Sequence, residues 1–149
     1  MSLSRRPPPE DAVRVEGEVP FHDVDPLLIV WHGHYFKYFE IARTALFRRH
    51  CIDGTDLLNM GYRFVIGHSE CRHIAPLTYG DRFETRAWFL DVEHRVHVAY
   101  EVVDLGRQRR AARARTELVT TDAAGALLLE TPKAILDRIQ TPPAASETA

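Results

Sequence analysis

Three short runs follow one another near the N-terminus: Phe21-His22-Asp23-Val24-Asp25-Pro26, then Ile29-Val30-Trp31-His32-Gly33-His34-Tyr35, then Phe39-Glu40-Ile41-Ala42-Arg43. Together they place a carboxylate on a tight turn at a strand end, just ahead of an apolar helix. Pro26 fixes its own φ and pushes Asp25 out of the α region, so the acid sits on a turn. Such a carboxylate can take a proton from water, or attack an acyl carbon itself. The N–H groups at a helix start, here those of His32 to His34, can meanwhile hold a developing oxyanion. Acyl transfer is the chemistry this pairing suits. On local sequence alone Asp25 also suits an Asx-turn or a helix cap, and both readings stand. Asp23 alternates with Asp25, points the other way along an extended strand, and reads as structural. His22 reads as a packing or hydrogen-bonding residue beside the strand end.

The elements that position these residues follow from periodicity. The chain has 149 residues, enough for one domain with a single core. Its net charge of −2 gives no bulk pull toward nucleic acid or a membrane surface. Cys51 and Cys71 have no CxxC spacing, which suits a reducing cytoplasm. The N-terminus lacks an apolar signal segment and no run reaches membrane-spanning length, so a cytoplasmic protein is expected. Residues 1–12 and 141–149 read as loose tails around a domain at 13–140. A strand is expected over 13–22 and a helix over 33–50. At 100° per residue, Lys37, Glu40, Thr44 and Arg48 share one polar arc, while Tyr35, Tyr38, Phe39, Ile41, Ala42, Ala45, Leu46 and Phe47 fill most of the rest. A short helix over 54–60 ends at Gly61. The period then changes to two, predicting strands at 62–75, 82–92, 95–104, 108–121 and 126–130 with hairpin-length connections. Pro132 opens a last helix to Ile139, with Thr131 as its N-cap. The economical packing is α+β, a curved antiparallel sheet of five to six strands around one central helix.

The ordered set Asp23-x-Asp25, Val30-x-His32-x-x-Tyr35 and Glu40-x-Ala42-Arg43, with Ala75-Pro76-x-x-Tyr79-x-Asp81 further on, resembles the hot-dog-fold acyl-thioester hydrolases. The likeness covers Val15 to Ile139 and is nearest the 4-hydroxybenzoyl-CoA thioesterase and Tol–Pal-associated branch. It implies that Asp25 is the essential carboxylate, and that the amide at His32, with Gly33, polarises the thioester carbonyl. It also implies a homodimer or homotetramer with sites at subunit boundaries, which makes the Glu40 carboxylate a second catalytic candidate. The substrate would be an acyl-CoA or an acyl carrier protein, with coenzyme A or phosphopantetheine as part of the substrate and no separate cofactor. Many relatives carry Gly after the Asp-Pro pair, where this chain has Leu27-Leu28, and Leu adopts Gly conformations only at a cost. That departure keeps a non-catalytic acyl-CoA-binding protein open as an alternative. A hydroxyacyl-thioester dehydratase ranks lower, because its Phe-Pro-Gly-His-type run is missing.

Other candidates carry plainer readings beside the functional ones. His32 and His34 form an HxH pair, but a metal site needs three or four donors and nothing in the sequence completes one, so no metal is expected. Glu40 reads as a solvated helix residue with Arg43 as its partner. Tyr35 reads as a core aromatic whose hydroxyl can line a pocket. The two thiols lack a Cys-His setting, and Ser69 lacks a GxSxG elbow. Arg107, Arg109, Arg113 and Arg115 alternate along an expected strand and so share a face, solvated or binding CoA phosphates or an acidic carrier protein. Arg72 and Arg95 are further substrate-binding candidates. That face has no interleaved aromatics, which argues against RNA.

Overall fold

The computed structural model describes residues 7–141. The outer parts of the expected tails, 1–6 and 142–149, lie outside the described residues. Residues next to the domain are docked: Ala12 is buried with its N–H on the Pro9 carbonyl, and Arg49 donates to the Asp11 carbonyl.

The strands are β1 (Val13–Glu18), β2 (Tyr62–His73), β3 (Arg82–Phe89), β4 (Val96–Asp104) and β5 (Arg109–Asp122). They form one antiparallel sheet in the order β1-β3-β4-β5-β2. The helices are α1 (Tyr35–Arg49), α2 (Gly54–Met60) and α3 (Lys133–Gln140). Alternation on β4 sends Val98, Tyr100 and Val102 into the core beneath α1. Ala87 and Ala114, opposite Tyr100 on either side, are small enough to leave room for Phe39. Phe39 stacks on Tyr100 with centroids 5.0 Å apart, while Tyr38 meets Phe83 at 4.6 Å and Phe47 meets Phe89 at 5.9 Å. Burying such rings is the main favourable term holding helix to sheet. α2 closes on Gly61 at φ 86°, as its sequence predicts, and opens on a capping box between Asp53 and Asp56 that the sequence reading passed over.

Several expectations change. β1 stops at Glu18, and a 3-10 turn at Phe21–Asp23 follows the Val19-Pro20 break. A second 3-10 turn at His32–His34 delays α1 to Tyr35. Residues 126–130 form no strand; Thr121 and Leu127 make only an isolated bridge, so the sheet has five strands. Thr131 is not the N-cap of α3. Pro132 holds that position without a side-chain cap, and the Thr131 N–H is drawn to the Glu93 carbonyl. Ile41, placed by the helical wheel with the apolar set, is 51% exposed. Arg43 turns under α1 to donate to the Tyr100 hydroxyl at 3.2 Å, and among the described residues no ion pair joins it to Glu40.

The arginine face also changes. β5 bulges between Arg110 and Ala112 opposite Val102 and Val103, which shifts the alternation by one. Arg110, Arg113 and Arg115 therefore share the outer face, and Arg109 pairs with Asp104 on the other parity. Arg107 lies in the turn before β5, held by Asp81 at 2.7 Å and Asp104 at 2.9 Å. The outer face is laced with ion pairs, among them Arg86 and Arg110 on the two oxygens of Glu101.

Candidate active site

Asp25 begins a short hairpin closed by the Val24–Val30 bridge. The Leu28 N–H donates to the Asp25 carbonyl at 2.8 Å, and the Asp25 N–H donates to the Ile29 carbonyl at 2.9 Å. The Leu27 N–H donates to Asp25 Oδ1 at 2.8 Å, which makes Asp25 an Asx-turn residue as well as a candidate catalyst. Among the described residues no donor engages its Oδ2. Leu28 sits at φ 61°, the left-handed region where Gly is at ease, at a cost on the order of 1 kcal/mol. The departure from Gly therefore leaves the turn's shape in place and adds exposed apolar surface, with Leu27 and Leu28 both open to solvent.

The hairpin is tied to the loop between β2 and β3. Val30 donates to the Leu77 carbonyl at 2.9 Å, and Ile29 bridges Thr78. Asp81 organises that loop by accepting the Thr78 N–H at 2.7 Å, the Thr78 hydroxyl at 2.8 Å and Arg107 at 2.7 Å. Burial pushes the Asp81 carboxyl up, but these donors more than offset it and hold it below the usual range. The Ala75-to-Asp81 motif thus acts by building the wall behind Asp25.

That wall closes a cavity of about 350 Å³ lined by Asp25, His32, Tyr35 and His73, with Ile29, Val30, Ile74, Ala75 and Pro76 as apolar surface. The 3-10 turn at His32–His34 forms the near rim. Among the described residues neither the His32 nor the Gly33 N–H donates to a protein acceptor, as expected of the first amides of a helical segment. Gly33 is required by a close approach, because a Cβ there would lie 2.2 Å from the Trp31 ring. Gly33→Ala is expected to displace that indole and the rim amides, cutting turnover by at least about tenfold; thiol-release kinetics and Trp emission check this together.

Tyr35 is buried, and its phenol is pushed up to about 12 by burial, with a hydrogen bond to the Leu77 backbone opposing the rise. It is a neutral hydroxyl at working pH. His73, which sequence reasoning passed over, packs edge-on to Tyr35 at 4.9 Å and lies 6.4 Å from the His32 ring. Burial first, and then repulsion from His32, lower its proton affinity below the ordinary value of 6.5. The unfolded chain binds that proton more readily, so the His73 contribution to stability is full above 6.5 and lost as pH falls below it. An NMR titration is expected to give a His73 midpoint under 6.5, rising toward it in His32→Gln. A midpoint unchanged by that substitution would refute the coupling.

The remaining candidates lie outside this cavity. Glu40 is exposed on α1. Arg72 is exposed on β2, opposite the buried Arg113 in register. Arg95 is paired with Glu117 at 2.5 Å. The Cys71 thiol is raised to about 11 by burial, the opposite of what a thiolate nucleophile needs. Asp23 is buried against Lys37 and Tyr38, as its structural reading predicts.

A five-stranded antiparallel sheet with an acidic turn ahead of its central helix is the hot-dog architecture, and the comparisons agree on that fold. The thioesterase-like superfamily matches residues 19–139, and the chain belongs to it. A protein of Aquifex aeolicus (strain VF5) that carries an esterase name is 36% identical over 66 residues, 44% of this chain and 52% of that one. The chain thus spans about half the length of that curated relative. A solved hypothetical protein from Aquifex aeolicus superposes with a TM-score of 0.76 at 25% identity, over 85% of this chain and 98% of its own. A 1,4-dihydroxy-2-naphthoyl-CoA thioesterase from Synechocystis gives a TM-score of 0.76 at 18% identity, over 88% of this chain and 97% of that one.

Proposed function

We propose that the protein hydrolyses an acyl thioester of coenzyme A, or of a carrier protein's phosphopantetheine, to the free acid and thiol. The observation that carries this is one cavity lined by both Asp25 and His32, the first residue of a 3-10 turn whose His32 and Gly33 N–H groups meet no protein acceptor among the described residues. Asp25 takes a proton from water as the water oxygen bonds to the carbonyl carbon. The oxyanion is held at the rim, the C–S bond then breaks, and the departing sulfur receives the proton from Asp25. Tyr35 and His73, both neutral, orient the acyl group, and the apolar lining favours a compact one. The 1,4-dihydroxy-2-naphthoyl-CoA thioesterase of like fold makes an aromatic acyl group the first to test beside aliphatic ones, with the reaction proposed for the cytoplasm.

A second copy of the chain completes the wall. β2 is a twelve-residue edge strand with Val65 and Ile66 exposed, and its last residue is His73. A long unpaired strand edge of this kind favours strand pairing, so a dimer through β2 brings partner residues to the cavity. Thiol release across benzoyl-, short-chain and long-chain acyl-CoAs, followed by acyl-carrier thioesters, tests the reading. Tight binding without turnover would favour the non-catalytic alternative, which the exposed Leu27 and Leu28 beside Asp25 keep in view.

A further inference from the structure

We propose that Asp23 is a positioning residue that locks the Asp25 turn and the rim amides onto α1 as one rigid unit; this rests on the thioester-hydrolase reading above. Asp23 is 1% exposed, and each of its carboxylate oxygens meets a donor from the start of α1. Lys37 Nζ donates to Oδ1 at 2.5 Å, and the Tyr38 hydroxyl donates to Oδ2 at 2.7 Å. Its main chain reaches the other way, because the Asp23 carbonyl accepts the Trp31 N–H at 3.0 Å. Trp31 immediately precedes His32, and its indole lies 4.9 Å from the His32 ring and 5.3 Å from that of His34. One residue therefore grips the helix with its side chain and the amide rim with its carbonyl, two positions before the catalytic carboxylate.

Asp23 does not line the Asp25 cavity. It faces a separate crevice of about 230 Å³ between β1, α1 and β3, so its effect passes through other residues. A carboxylate is suited to the task because it can accept from both donors and balance the lysine charge in a buried place. An amide has one acceptor oxygen, and its NH₂ would oppose one of the two donors. Releasing either tie lets the turn and the rim move independently, and a misplacement of about 1 Å costs about a hundredfold in rate.

The test compares wild type with Asp23→Asn and Lys37→Met by thiol release and by amide hydrogen exchange. The expected result is a kcat lower by about thirtyfold to a hundredfold with KM within about twofold. The Trp31 amide should exchange at least about tenfold faster while β4 amides keep their rates. Lys133→Met, which breaks an exposed pair with Asp137, should leave both readouts unchanged. If Asp23→Asn does not fold, Tyr38→Phe carries the test. Retention of kcat within about twofold, unchanged Trp31 exchange, or a uniform acceleration across β4 and β5 would each overturn the proposal. If wild type hydrolyses no thioester, the functional reading fails, and the Trp31 exchange rate alone decides whether Asp23 is the tie.

Discussion

Asp25→Asn is expected to lower thioester hydrolysis by at least a hundredfold, about 2.7 kcal/mol of transition-state stabilisation, in a protein that stays folded. The amide keeps an oxygen that can accept the Leu27 N–H, so the Asx-turn holding Leu27, Leu28 and Ile29 survives. What is lost, on the proposed mechanism, is the negative oxygen that takes a proton from water or attacks the carbonyl. Oδ2 has no donor among the described residues, and Asp25 lines the cavity. The comparison is made by thiol release at saturating and limiting substrate, with circular dichroism of both proteins. Equal rates would remove Asp25 from the mechanism and turn attention to Glu40.

Phe39→Ala is expected to destabilise the fold by about 3–5 kcal/mol, lowering Tm by about 10 °C. Phe39 is 1% exposed and stacked on Tyr100, itself 1% exposed, in the space that Ala87 and Ala114 leave open. Those neighbours are too small to collapse into the vacancy, so the cavity term is added in full to the lost transfer energy. The Tyr100 hydroxyl, tied to Arg43, would also lose its support from above. Thermal unfolding followed by circular dichroism measures this, and a fall of under about 3 °C would mean that α1 does not seat on the sheet here.

Much of the fold was legible because its signals are local. The apolar pattern of α1, the Gly61 cap of α2, and the period-two runs of β2 to β5 each report a backbone preference set within a few residues. The Asp25-Pro26 turn was legible for the same reason. The run at 126–130 misled because an apolar stretch names a buried or pairing segment without saying that a free strand edge is available to it. The ladder place beside β5 is taken by β2 along its length, and one bridge remains for Leu127.

His73 was not legible, and the arginine face was legible only for Arg113 and Arg115. His73 gains meaning only when the end of β2 is brought beside Tyr35 and His32. A single bulge in β5 exchanged Arg109 for Arg110 on the outer face, and no residue type in that run announces it. By itself the sequence determined the elements, the acidic turn ahead of the helix and the family likeness, all of which depend on short-range sterics and on ordered motifs. Tertiary structure alone decided which side chains share the cavity and which oxygen of Asp23 meets which donor. Those outcomes depend on strand register and long-range burial, where a shift of one residue turns every side chain to the opposite face.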